Sequence, residues 1–190
     1  MVPARGLRLM YTELHARSAF SFLEGASAPE ELAAACSAQG MSAMAILDRD
    51  GVYGAPRFYL AATKIHVKAH IGAEVISAFG WRYPLLVKSR EGYQNLCRLI
   101  TRMKLRAARK GEGHIQREDL TGLHAGLICL TGGDEGPLAS ALASGGIVKG
   151  TECVRQLCDL FGRRNVYVEL QRHYGREEEA RNRRLRKCLC

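Results

Sequence analysis

Leu14-His15-Ala16-Arg17-Ser18-Ala19-Phe20-Ser21-Phe22-Leu23-Glu24-Gly25-Ala26 decides how the chain is read. A short apolar strand, taken as Tyr11 to His15, ends on a histidine, and a polar loop then leads to an acid and a glycine. Beyond the loop, Pro29-Glu30-Glu31 opens a helix with Ser27 as the expected N-cap. Proline suits the first turn, and two carboxylates there complement the positive end of the helix dipole. Leu32 to Ala35 continue the helix and Gly40 stops it. Met41 to Leu47 is then almost wholly apolar over a strand's length, the pattern of a strand covered on both faces. Strand, helix, strand is a βαβ unit, so the chain is expected to form an α/β fold with a parallel sheet.

Asp48-Arg49-Asp50-Gly51-Val52-Tyr53-Gly54 repeats the passage from strand end to acid, and a helix over Pro56 to Lys64 follows it. A third strand, about Ala69 to Ser77, carries Glu74, and Gly80 marks a turn into a strand from Pro84 to Lys88. In a β/α repeat the carboxyl ends of the strands converge on one face, so His15, Glu24, Asp48, Asp50 and Glu74 are expected to share a pocket. One imidazole with several carboxylates suits Zn, Mn, Mg or Fe. Two or three such ions would activate water and stabilise phosphate oxygens, which is phosphoesterase or nuclease chemistry. Taken singly, each residue has an ordinary structural role as strand end, cap or surface acid.

Glu91 to Lys110 reads as one long helix, because Tyr93, Leu96, Leu99, Ile100 and Met103 recur at three and four residues. Its second half has no acid, and it is either a solvated face or a phosphate-facing stripe, with Arg98, Arg102, Arg106 and Arg109 as the DNA-contact candidates. Leu127 to Leu130 is a buried strand. The glycine loop Thr131 to Gly136 lacks the Gly-Lys-Ser/Thr ending and contains two acids, so it reads as a tight turn into a helix from Pro137 to Ala143. An amphipathic segment from Glu152 to Phe161, a strand from Val166 to Leu170 and a terminal helix from Glu177 complete the pattern.

The 190 residues, 47% hydrophobic, suffice for one domain with a sizeable core. Lys and Arg total 28 against 19 Asp and Glu, a net +9 that fits either a polyanionic partner or a basic solubilising surface. Seven cysteines without a Cys-x-x-Cys pair argue against a zinc ribbon or a disulfide framework and for a reducing cytoplasm. Residues 1–10 read as a basic leader, and no apolar run approaches the ~18 residues of a membrane span. No Gly-x-Ser-x-Gly elbow is present, and His66, His70, His114 and His124 stand singly and read as surface residues.

Together, His15-Ala16-Arg17-Ser18, Phe20-Ser21-Phe22-Leu23-Glu24-Gly25, Asp48-Arg49-Asp50-Gly51-Val52-Tyr53-Gly54, Ile71-Gly72-Ala73-Glu74 and Glu91-Gly92-Tyr93-Gln94-Asn95-Leu96 resemble a known family. It is the N-terminal polymerase-and-histidinol-phosphatase (PHP) domain of bacterial DNA polymerase III alpha subunits. Leu96-Cys97-Arg98-Leu99-Ile100-Thr101 and Glu169-Leu170-Gln171-Arg172-His173 are most similar to its error-prone member. The resemblance runs from about Tyr11 to Arg186. It implies a distorted (β/α)7-type barrel over residues 11–190, incomplete at its C-terminus, in a parent DNA-directed DNA polymerase that uses Mg and works in replication and damage-tolerant repair synthesis. The partners it implies are DNA, the remainder of the polymerase chain and other replication or repair subunits.

Position by position, His15 matches the first histidine of the family's His-x-His-Ser, but Arg17 stands at the second. Glu24 falls where an acidic ligand is usual. Asp48 opens the Asp-His-Asp element, with Arg49 replacing its histidine. Glu74 matches the glutamate of Gly-x-Glu, and His173 sits near a late family histidine. The closing Asp-x-His is expected beyond Cys190, which makes the chain a fragment. Two guanidiniums in place of imidazoles put fixed positive charge where Zn, Mn or Mg would bind. The expectation is therefore a degenerate, non-hydrolytic site in which Arg17 pairs with Asp48 or Glu74. The alternatives are an active metal-dependent 3′–5′ exonuclease or phosphoesterase, and a DNA-binding or subunit-docking module.

Overall fold

A computed structural model describes residues 11–109, 111–171 and 178–188. In chain order the elements are β1 (Glu13–Ala16), α1 (Pro29–Ala38), β2 (Ala43–Arg49), α2 (Ala55–Lys64), β3 (Lys68–Ile76), β4 (Arg82–Val87), α3 (Arg90–Arg106), α4 (Arg117–Leu123), β5 (Leu127–Leu130), α5 (Pro137–Phe161), a 3-10 turn (Arg163–Asn165), β6 (Val166–Tyr167) and α6 (Glu178–Lys187). The strands form one sheet in sequence order, β1 to β6. β1, β2 and β3 run parallel, as the βαβ pattern requires, and β5 and β6 are parallel to each other.

The parallel run stops at β4, which is antiparallel to both β3 and β5, joined to β3 by the turn expected at Gly80. The cause is the length of the link. Ser77 N–H donates to the Trp81 carbonyl at 2.8 Å, closing a hairpin far shorter than the dozen or so residues a parallel crossover needs. β4 therefore starts at the end of the sheet where β1, β2 and β3 finish. The sheet also curls. His15 of β1 lies 2.7 Å from Glu169, just past β6, and one concave cavity is lined by residues of both edges together with His70, Leu86 and Ile128. His70, expected at the surface, belongs instead to this concave side of β3.

Local chemistry shifts several boundaries. α1 is capped at Ala28 and not by the Ser27 side chain: Ala28 N–H donates to Glu31 Oε2 at 2.7 Å. α3 stops at Arg106, because Ala107 turns extended, so Arg109 lies past the helix instead of on it. Arg106 reaches Asp119 with Nη1 and Nη2 (2.7 and 2.9 Å), and Asp119 also accepts the Gln116 N–H at the start of α4, a helix too short to leave a period in the sequence. α5 joins the two helical segments read around 137–143 and 152–161, with non-helical Gly145 and Gly146 marking the break.

The main core packs Ala73, Val75 and Leu85 of the sheet against Leu96, Leu99, Ile100 and Met103 of α3 and Leu157 and Phe161 of α5. A second cluster, built on Ala33, Cys36, Ile46, Phe58 and Ala62, holds α1 and α2 to β2. At ~25 cal/mol per Å² of apolar surface, each large side chain here contributes about 2 kcal/mol. The cysteines of the described residues are free thiols, and no helix among those residues is long and apolar enough to cross a membrane.

Candidate functional site

The loop that follows β1 is shaped by Asp48 at the carboxyl end of β2. Its side chain is buried and accepts four hydrogen bonds. Ser18 N–H (2.9 Å), Ser18 Oγ (2.8 Å) and Ser21 Oγ (2.9 Å) donate to Oδ1, and Gly54 N–H (2.8 Å) donates to Oδ2. A Cβ at residue 54 would come within 2.6 Å of that Oδ2, so only glycine allows the approach. Asp50, at φ 50°, uses Oδ1 to accept the Ile76 N–H at 3.1 Å and ties the exit of β2 to the end of β3. Asp48 is thus taken up by backbone and hydroxyl groups, Asp50 by a backbone N–H with Arg49 Nε 3.6 Å from its Oδ2, and neither lines the cleft beside them.

That cleft, about 560 Å³, is bounded by His15, Arg17, Glu24, Glu74, Arg82, the loop Gly132 to Gly136 and Gln171. Arg82 grips Glu24 bidentately, Nη1 to Oε2 at 2.8 Å and Nη2 to Oε1 at 2.9 Å. Arg49 Nη1 reaches the same carboxylate at 2.7 Å and Arg17 Nη1 at 3.1 Å. Arg17 Nη2 donates to Glu74 Oε1 at 2.8 Å and stands 2.7 Å from Oε2. His15 bridges two acids, with Nε2 2.8 Å from Glu74 Oε1 and Nδ1 2.7 Å from Glu169 Oε1. Gln171 Nε2 donates to that Glu169 oxygen, and Glu135 Oε2 lies 3.1 Å from Arg82 Nη1.

The charges stabilise one another. Burial on its own would push the Glu74 carboxyl up, but hydrogen bonds from His15 and Arg17 draw it down to about 2. The same burial opposes charge on His15, yet its bonds to Glu169 and Glu74 raise the imidazole to about 9, so it is protonated at neutral pH. The Arg82 fork holds the Glu24 carboxyl below the usual range.

As placed here, the donor set is taken up by ion pairs. An imidazole ligand must offer a ring lone pair, and both His15 nitrogens here face carboxylate oxygens as donors. Glu24 and Glu74 present their oxygens to guanidiniums. Among the described residues, no group of three or more His, Cys, Asp or Glu side chains is disposed to hold a metal ion.

Of the residues singled out from sequence, His15, Glu24 and Glu74 meet in the cleft, Arg17 joins them and Arg49 reaches in to Glu24. Arg17 pairs with Glu74 and not with Asp48. His173 lies outside the described residues. Arg98, Arg102 and Arg109 are exposed, whereas Arg106 is engaged by Asp119. Glu169 and Arg82 are among the contributors that escaped the sequence reading. Glu169 carries the same signal as His15, a polar residue ending an apolar strand-like run. Arg82 carries none, since it opens a strand and reaches the cleft only because β4 runs backwards.

A family model described as "PHP domain" matches residues 13–173. An "Error-prone DNA polymerase" of Mycolicibacterium paratuberculosis is 37% identical over 183 residues, covering 90% of this chain and 17% of that protein. One from Anaeromyxobacter sp. is 36% identical over 179 residues, covering 90% of this chain and 15% of that protein. One from Dechloromonas aromatica is 46% identical over 110 residues, 58% of this chain and 11% of its own length. The chain therefore spans about a ninth to a sixth of these relatives' length. A solved amidohydrolase from Chromobacterium violaceum aligns over 78% of this chain and 49% of its own, at 19% identity and a TM-score of 0.42.

Proposed function

The chain belongs to the PHP domain family, and from that premise we propose that it is the non-hydrolytic PHP module of an error-prone DNA polymerase. The observation that carries this reading is the occupation of Glu24 and Glu74 by Arg17, Arg49, Arg82 and protonated His15. Fixed cations stand where hydrolytic metals would otherwise be held, so the cleft stores structure and not reactivity. Arg17 ties the β1 exit to β3, Arg82 ties β4 to the loop bearing Glu24, and His15 ties β1 across the open side to Glu169. Similarity to error-prone polymerases supports the wider setting: damage-tolerant, Mg-dependent DNA synthesis by the larger protein, with DNA and the rest of that chain as partners.

The test is degradation of 3′-end-labelled DNA by the purified chain with Zn, Mn or Mg added. No release above buffer is expected. Cleavage that requires metal and disappears in His15→Ala would replace this reading with the active exonuclease.

A further inference from the structure

Successive residues of a strand face opposite sides of the sheet. On β4, Arg82 therefore serves the cleft, while Tyr83, in register with Val75 of β3, packs toward the helices on the other side. There the β3–β4 hairpin, α4 and α5 do not close completely. They leave a pocket of about 460 Å³ bounded by Ser77, Phe79, Trp81 and Tyr83, with Leu120 of α4 and Leu157 of α5.

The aromatic wall is held in place. Trp81 Nε1 donates to Ser140 Oγ of α5 at 3.0 Å, and the Phe79 ring lies against the indole with centroids 5.1 Å apart and planes tilted by 30°. A fixed ring needs little further ordering to accept a flat partner, which lowers the entropic cost of binding. Two hydroxyls of the lining are unsatisfied. Ser77 is 8% exposed, and its Oγ is buried without a hydrogen-bond partner. Burial pushes the Tyr83 hydroxyl above the ordinary phenol range, and no hydrogen bond to a described residue opposes it. A buried tyrosine hydroxyl ordinarily finds a partner, and leaving that bond unmade is costly. Preformed apolar hollows of roughly 300–1,000 Å³ with a few polar groups are characteristic of small-molecule sites.

We propose that this pocket binds a small neutral aromatic molecule of one or two rings, whose hydrogen-bonding group pairs with the Tyr83 hydroxyl while its ring packs against Trp81 and Leu157. Charge does not select the ligand, because Arg117 and Glu118, of opposite sign, both stand exposed in the lining. The pocket lies across the sheet from the ion-paired cleft, so its ligand is independent of the part assigned to that cleft.

The chain has a single tryptophan, so tryptophan emission reports on this pocket. The test titrates the 190-residue chain with para-cresol, a one-ring phenol, and with toluene, which lacks the hydroxyl. A saturable change in Trp81 emission is expected with para-cresol, half complete at on the order of 1 mM, distinct from the linear quenching of random collisions. Toluene should bind about tenfold more weakly. It is the more apolar of the two, so a merely apolar surface would give the opposite order. Tyr83→Phe removes only an unpartnered hydroxyl and keeps the ring, so it should fold like the parent, bind toluene unchanged and lose about tenfold for para-cresol. No saturable change, toluene bound as tightly as para-cresol, or a preference for para-cresol that survives in Tyr83→Phe would each overturn the proposal.

Discussion

In the cleft, the Arg17 and Arg82 side chains are 26% and 10% exposed, and each meets carboxylates at 3.1 Å or less; on α3, Arg98 and Arg102 face solvent and make no close ion pair among the described residues, Arg102 acting on Asp119 only from a distance. The residue type is the same and the consequence is opposite. A guanidinium withdrawn from water must be paired, and once paired it becomes part of the scaffold, because removing its partner strands a charge. An exposed one adds little to stability and remains available to a polyanion. Arg106 shows that position on a helix does not decide the matter: it shares α3 with Arg98 and Arg102, yet Asp119 holds it in a fork.

The contrast breaks most visibly at Glu74, which is 3% exposed and balances Arg17 and His15. Glu74→Gln should destabilise the chain by about 3–5 kcal/mol in urea unfolding, the usual cost of orphaning a buried charge; a loss below about 1 kcal/mol would mean that the cleft is not structural. Asp48→Ala comes next. It leaves four donors without their acceptor and should cost about 3 kcal/mol, and loop 18–21 should also become more accessible to protease.

An effect of similar order follows from pH, since His15 keeps one of its two bonds when it loses its proton. Its folded value lies above the ordinary 6.5, so the stabilisation is complete below about pH 6.5 and fades as pH rises through about 9. The urea midpoint should therefore fall between those values, and His15→Gln should flatten that fall. Arg106→Gln should lower the midpoint slightly, because its fork to Asp119 is partly screened by solvent. The smallest change is expected from Arg98→Gln/Arg102→Gln on the same helix, within about 0.5 kcal/mol of the parent by the same unfolding measurement. A double variant that loses more than Arg106→Gln would erase the distinction between paired and unpaired guanidiniums on α3.

Much of the fold could be read from the sequence where periodicity is unambiguous. The βαβ start, α2 and the apolar stripe of α3 follow directly from apolar spacing. The direction of β4 was not legible as a strand property, because it is fixed by the hairpin link and not by the residues of the strand. The same reversal concealed Arg82. The cleft was legible as a meeting of His15, Glu24 and Glu74, but Asp48 was grouped with them by its place at a strand end. Which way a strand-end aspartate turns depends on nearby donors, and here Ser18, Ser21 and Gly54 capture it. Arg17 displays the converse. The sequence offered it two partners, and the strand order places Glu74 within its reach while the loop donors enclose Asp48.

Cations of the chain itself, on this reading, have taken the place of metal in the cleft. Thermal unfolding of the purified chain with EDTA, and again with excess Zn or Mn, is the sharpest check, because any ion bound to the folded form alone must raise the midpoint. The midpoint is expected to agree within ~1 °C in all three conditions, against the several degrees that ~1 kcal/mol of ligand binding would add. A rise of that size with Zn or Mn, reversed by EDTA and abolished in His15→Ala, would contradict it.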